Sequence, residues 1–217
     1  MNFDTARYNM IEQQIRPWNV LDLGVLNLLS EIHREDFVPV EYRNSALSDF
    51  EIPLGHDEWM LPPRMEARIL QALQVQPHET VLEIGTGSGY LTALLAHLAL
   101  RVFSVDISQE MSDEAARKLA AHDISNVTLE IGDGARGWDN HTPYDVIVLT
   151  GSTPKLSENF EKSLNVSGRL LAIVGDAPAM EVQLITRISE NEFKRENLFE
   201  TVVPALKNAP EPARFIF

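Results

Sequence analysis

The run Val81-Leu82-Glu83-Ile84-Gly85-Thr86-Gly87-Ser88-Gly89-Tyr90 joins an apolar stretch to glycine at alternate positions, with an acid just ahead of them. A buried strand that empties into such a turn, and then into a helix, offers free backbone N–H groups and close approach to the main chain, which is a cradle for a nucleotide. Spacing separates the candidate ligands. A dinucleotide fingerprint beginning at Gly85 needs glycine at position 90, where Tyr90 stands. A P-loop needs a Lys-Ser or Lys-Thr pair after the turn, and none follows. Glu83 adds negative charge, which favours a cationic or amino-bearing ligand over a triphosphate. S-adenosylmethionine, with a sulfonium, an ammonium and no phosphate, has that chemistry.

Two more acids fit the same ligand. Asp106 ends the apolar run Val102-Phe103-Ser104-Val105, the right distance for a second strand to bring a carboxylate to ribose hydroxyls. Asp133, in Gly132-Asp133-Gly134 after Val127-Thr128-Leu129-Glu130-Ile131, can accept from an adenine amino group. Other chemistries fare worse. Ser88 is not in a Gly-x-Ser-x-Gly elbow, because Thr86 takes the first glycine's place. The six histidines show no pair at metal-binding spacing, so no metal is expected. Trp138 and Tyr144 read as sheet-edge packing.

The elements that must position these residues follow from periodicity. Helices are expected over Asp4 to Ile15, with Tyr8, Ile11 and Ile15 on one face, over Leu21 to Ile32, and over Met65 to Leu73. Arg43 to Trp59 lacks clean periodicity and reads as a meandering surface segment. From Thr80 the pattern alternates: strand Thr80 to Ile84, helix Tyr90 to Ala99, strand Arg101 to Val105, helix Gln109 to His122, strand Val127 to Ile131, strand Asp145 to Leu149, helix Pro154 to Leu164, strand Arg169 to Val174. This predicts an α/β fold with a doubly wound sheet. Val182 to Ser189 and Phe193 to Glu200 suit an antiparallel pair at the sheet edge, Pro204 to Pro212 is expected to be irregular, and Phe215-Ile216-Phe217 to dock on the core. The organisation expected is a helical extension and acceptor loop over 1–78 and a cofactor-binding domain over 79–217, forming one structural unit.

Composition narrows the partners. The chain has 217 residues, 44% of them hydrophobic and 23% charged, with a net charge of -14. That charge disfavours nucleic acid and anionic membrane surfaces as partners, and the lysines and arginines are scattered. Without cysteine there is no disulfide and no thiolate nucleophile. Met1 to Arg16 does not read as a secretory signal, and the longest apolar stretch, Leu91 to Leu100, is too short to span a bilayer, so a cytoplasmic soluble protein is expected.

Three blocks together carry a family resemblance: Glu35-Asp36-Phe37-Val38-Pro39, Val81 to Tyr90, and Gly132-Asp133-Gly134-Ala135-Arg136-Gly137-Trp138 followed by Pro143-Tyr144-Asp145. The chain resembles the protein-L-isoaspartate O-methyltransferases, from Met10-Ile11-Glu12 through Gly168-Arg169-Leu170. The resemblance implies a Rossmann-like class I methyltransferase with a seven-stranded sheet, and transfer of a methyl group from S-adenosylmethionine to the free carboxylate of an isoaspartyl residue in damaged peptides or proteins. The ester then cyclises to a succinimide. The resemblance assigns Glu83, Gly85, Thr86, Gly87, Ser88, Gly89, Asp106, Ile107, Asp133 and Gly134 to the cofactor.

One block departs from the pattern. Where the family carries Ile-Ser-x-Pro-His or similar, with its serine beside the reacting carboxylate, this chain reads Met60-Leu61-Pro62-Pro63-Arg64. Leu61 can neither donate nor accept a hydrogen bond. A carboxylate is already ionised and a sulfonium already activated, so the reaction depends mostly on alignment and water exclusion. Losing one orienting hydrogen bond costs about 1 to 3 kcal/mol, or roughly one to two decades in rate. Met60, Leu61, Pro63 and Arg64 are the acceptor-loop candidates, and Arg64 is expected either to clamp the carboxylate in place of the serine or to be a solvated helix residue. Two further readings stay open: a methyltransferase of this fold acting on another acceptor, or a cofactor-binding regulator with weak catalysis.

Overall fold

The computed structural model describes residues 2–212. Phe215-Ile216-Phe217 lie outside the described residues.

Helix α1 (Phe3–Asn9) starts at Asn2, whose side chain accepts from Thr5 N at 3.2 Å. The chain then widens into a π-helical turn, Met10–Ile15, and tightens into a 3-10 turn, Arg16–Trp18. The expected helix therefore exists, but the wider turn breaks the 3.6-residue stripe. Tyr8, expected on the buried face, is 65% exposed, while Arg7 turns inward to Glu35. Helix α2 (Leu23–Glu31) is capped by Asp22, which accepts from Val25 N at 3.0 Å.

Strands β1 (Ile52–Gly55) and β2 (Glu58–Met60) form an antiparallel hairpin, which corrects the meandering segment expected over Arg43 to Trp59. Its turn places His56 and Asp57 in left-handed conformation without the Asn-Gly pair that signals such turns, and its strands are too short to show a period. Helix α3 (Pro63–Leu73) follows, with proline at its first position.

The remaining elements are β3 (Thr80–Ile84), α4 (Tyr90–Leu98), β4 (Arg101–Asp106), α5 (Gln109–Ala121), β5 (Val127–Ile131), β6 (Tyr144–Thr153), α6 (Glu158–Lys162), β7 (Leu164–Asp176), β8 (Ala179–Arg187) and β9 (Phe193–Thr201). Among the described residues they build a seven-stranded sheet in the order β5-β4-β3-β6-β7-β8-β9. The first five of these strands run parallel, and β8 and β9 close the edge antiparallel, as the sequence predicts. The helix expected over Pro154 to Leu164 shrinks to α6, since Tyr144 N donates to Ser163 O at 2.8 Å and draws the chain into β7. Tyr144 opens the central strand β6 and is fully buried, so its expected edge position is corrected; Trp138 packs against Gly132 beside the edge strand β5.

Both sheet faces are covered, and the strands alternate between them. Val81, Val102, Val146 and Leu171 join one apolar cluster with α2, α3 and α4; Leu82, Phe103, Ile147 and Leu170 join the other. Residues of the N-terminal region thus share a core with the helix that follows the glycine turn. Among the described residues no helix is long and apolar enough to cross a membrane.

Candidate active site

Parallel strands align their carboxyl ends on one edge of the sheet, and a ligand crevice opens where the strand order reverses. Here that point is β3, flanked by β4 and β6. Gly85 follows it at φ +96°, and a Cβ there would lie 2.2 Å from Thr150 Oγ1, which itself donates to Gly85 O at 2.8 Å. Gly89 opens α4 at φ +82°, its Cβ position 3.0 Å from Ala115 Cβ. Side chains are excluded at both points, by backbone conformation and by lack of space.

Asp106, at the end of β4, braces this turn. One carboxylate oxygen accepts from Gly87 N at 2.9 Å and the other from Ser108 N at 2.8 Å. Each oxygen retains a lone pair for a ligand hydroxyl. Asp133 accepts from Ala135 N at 3.1 Å and, through its other oxygen, from Asn208 Nδ2 at 3.0 Å.

A cavity of about 800 Å³, counting the solvent at its mouth, joins these groups. Gly85, Gly87, Asp106, Ile107, Asp133 and Gly134 line it from the sheet, and Leu54, Glu58, Trp59, Met60 and Leu61 face them from the hairpin and the loop after it. Thr150, Gly151 and the strap Pro204 to Lys207 complete the wall. A smaller cavity of about 320 Å³ shares Met60, Leu61, Gly85 and Gly87 and adds Thr86, Ser88, Glu66 and Glu83.

Strand alternation sends Glu83 away from the larger cavity. It shares a face with Val81 and lies opposite Ser104 in the parallel register. Its Oε2 accepts from Ser104 Oγ at 2.6 Å and from Thr92 Oγ1, while Thr86 and Ser104 hydroxyls meet at 2.6 Å. Glu83 Oε1 is buried and has no partner among the described residues. Burial pushes this carboxyl up to about 8, against the pull of the Ser104 and Thr92 hydrogen bonds. Burial also lifts Glu66 to about 7, although Arg34 opposes it.

Arg34 is the hub beneath the acceptor loop. Its Nε donates to Glu66 Oε2 at 3.0 Å, Nη1 to Ala46 O at 2.6 Å and Nη2 to Leu61 O, and its guanidinium lies 5.7 Å from the Tyr90 ring centroid. Arg64 points elsewhere. It pairs with Asp49 and stacks 4.5 Å from the Trp18 ring centroid, and neither Arg64 nor Pro63 lines either cavity. Gly89 contributes through the start of α4 and not as a lining residue.

The sequence reading missed the hairpin residues Leu54, Glu58 and Trp59, the buried Arg34–Glu66 pair, and the strap Pro204 to Lys207. The small residues Thr150-Gly151-Ser152 at the end of an apolar strand were a usable signal for the strap, because they leave room for chain to cross there. Among the described residues no group of three or more His, Asp or Glu side chains comes together that could hold a metal ion.

The family model for protein-L-isoaspartate(D-aspartate) O-methyltransferase matches residues 5–209. This chain belongs to that family. A protein-L-isoaspartate O-methyltransferase 1 from Rhodopseudomonas palustris (strain HaA2) is 37% identical over 219 residues, covering 97% of this chain and 89% of the relative. One from Syntrophus aciditrophicus (strain SB) is 38% identical over 198 residues, covering 90% and 91%. Among solved structures, a protein-L-isoaspartate O-methyltransferase aligns with TM-score 0.77 and 22% identity; the match covers 92% of this chain and 65% of that longer one. A putative Plasmodium falciparum protein-L-isoaspartate O-methyltransferase, solved with S-adenosyl-L-homocysteine, aligns with TM-score 0.78 and 17% identity over 95% and 99%. These two structures share the isoaspartyl methyltransferase fold with this chain.

Proposed function

We propose that this protein is an S-adenosylmethionine-dependent carboxyl methyltransferase that esterifies the free carboxylate of isoaspartyl residues in damaged proteins and peptides. The observation that carries the reading is a single cavity with Gly85, Asp106 and Asp133 on one wall and the acceptor loop Met60 to Leu61 on the other. Membership of the family supports the same reaction.

The cofactor, when bound, supplies a methyl group already activated on a sulfonium. The residues of this chain do the rest. The Gly85 to Gly89 backbone would admit the ligand closely, with Thr86 and Ser88 beside it; Asp106 would hold ribose hydroxyls, Asp133 would accept from the adenine amino group, and Ile107 and Gly134 would complete the cofactor site. Glu83 provides a buried carboxyl with one unpartnered oxygen, which a positively charged ligand would draw into its ionised form. Trp59, Met60 and Leu61 exclude water around the acceptor, which needs no general base because a carboxylate is ionised at neutral pH. Regions 1–78 and 79–217 act as one unit in this scheme, the first supplying the acceptor side. The charge of -14 disfavours nucleic acid and anionic membrane surfaces as partners, and the enzyme is read as cytoplasmic.

The test is incubation with labelled S-adenosylmethionine and either an isoaspartyl peptide or its aspartyl twin. Transfer to the first alone is expected. Transfer to neither, with cofactor binding intact by calorimetry, would instead favour a small acid or phenol as acceptor, or a regulator, a reading that the apolar side chains of Leu54, Trp59 and Leu61 motivate.

A further inference from the structure

Building on the isoaspartyl reading, we propose that Lys207 is the residue that recognises the acceptor carboxylate. An acceptor of that kind brings negative charge into an acidic place: Glu51, Glu58, Asp106 and Asp133 line the larger cavity. Like charges repel an anionic substrate unless a cation faces it. The acceptor loop supplies none, since its cavity side chains are Trp59, Met60 and Leu61, and Arg64 is committed to Asp49 and Trp18. Among the described residues lining either cavity, Lys207 is the single cation.

Its position is built into the fold. Ser152, on the central strand β6, holds the strap through three bonds: Ser152 N to Pro204 O at 2.9 Å, Leu206 N to Ser152 O at 2.8 Å, and Ser152 Oγ to Val203 O at 3.1 Å. Leu206 seats where Gly151 has no side chain, since a Cβ on Gly151 would lie 2.9 Å from Leu206 Cδ2. The lysine therefore leaves the strap beside the residue that covers the glycine turn. Its Nζ reaches Glu58 Oε1 at 2.7 Å and the His56 carbonyl at 3.2 Å. Glu58 and Met60 are two residues apart on β2, hence on one face of the strand, and both line the cavity. The ammonium is thus held at the rim of the cavity, beside the hairpin. It has three N–H donors, two of them used, and the third is available to a substrate carboxylate that joins or displaces Glu58.

The experiment compares an isoaspartyl peptide with its uncharged amide twin on protein saturated with S-adenosylhomocysteine, for wild type, Lys207→Gln, Lys207→Arg and Glu58→Gln. Wild type is expected to prefer the acid by about tenfold, a preference lost in Lys207→Gln and largely kept in Lys207→Arg. Glu58→Gln removes the competing carboxylate and is expected to tighten the acid a few-fold. In turnover, Lys207→Gln is expected to raise KM for the isoaspartyl peptide about tenfold while kcat changes less than threefold. Titration of each variant with S-adenosylhomocysteine reports an intact cradle. An unchanged acid preference in Lys207→Gln, or its loss in Lys207→Arg with the cradle intact, overturns the assignment. If wild type transfers no methyl to the isoaspartyl peptide, the functional reading falls and this proposal with it; if wild type is active and Lys207→Gln matches it, Lys207 alone is refuted.

Discussion

Asn208 Nδ2 donates to Asp133 Oδ2 at 3.0 Å, so the C-terminal strap is tied to the turn that follows β5. An amide N–H here draws on the carboxylate that an adenine amino group would also use. Strap and cofactor would therefore share one carboxylate, and removing the strap's donor leaves its charge to the ligand alone. Asn208→Ala is expected to tighten S-adenosylmethionine binding about two- to fivefold, since one net hydrogen bond is worth about 0.5 to 1.5 kcal/mol. Asp133→Ala is expected to weaken it by about tenfold. Calorimetric titration of both variants decides this; weaker binding in Asn208→Ala would show that the strap assists the ligand instead.

Glu83 makes stability depend on pH. Its carboxyl titrates near 4.5 when unperturbed and at about 8 in the folded chain, because burial disfavours the charge. Between these values the folded state carries the extra proton, so this stabilisation is present below about pH 4.5 and is lost as pH rises through about 8. Urea unfolding at several pH values is expected to show the wild-type curve falling relative to Glu83→Gln across that window. A cationic ligand favours the ionised form, so cofactor binding at pH 7 is expected to release a proton that Glu83→Gln does not release, measured by calorimetry in buffers of different ionisation enthalpy.

Arg34 and Glu66 are both fully buried and pair at 3.0 Å. Arg34→Met leaves Glu66 without its partner and the carbonyls of Ala46 and Leu61 without a donor. A loss of about 3 to 5 kcal/mol is expected, larger at pH 8 than at pH 6 because Glu66 can escape by protonation. Adding Glu66→Gln is expected to recover part of it, and a double-mutant cycle by urea unfolding measures how much.

Leu61 is buried on the cavity wall. Leu61→Ser restores a hydroxyl beside the acceptor and is expected to raise kcat/KM for an isoaspartyl peptide about tenfold. It costs about 2 kcal/mol of stability through lost apolar burial. No gain in activity, with the fold intact by circular dichroism, would mean that the loop presents Leu61 to a different acceptor.

Most of the scaffold was legible from residue types alone. The glycine turn, the acids at the ends of the second and third parallel strands, and the alternation of strand and helix are local signals, because strand periodicity, turn conformation and helix starts are decided by near neighbours in the chain. What tertiary structure decided is which charges meet. Glu83 belongs to the protected face of its strand because Ser104 and Thr92 wait there; Arg64 is drawn to Asp49, Arg34 to Glu66, and Lys207 crosses to Glu58 from 149 positions along the chain. Those partnerships depend on distances closed by folding, and periodicity along the chain does not say which polar side chains will meet. The chain itself determined a cradle for an adenosyl ligand; the assembled sheet, hairpin and strap determined which side chains line the cavity beside it.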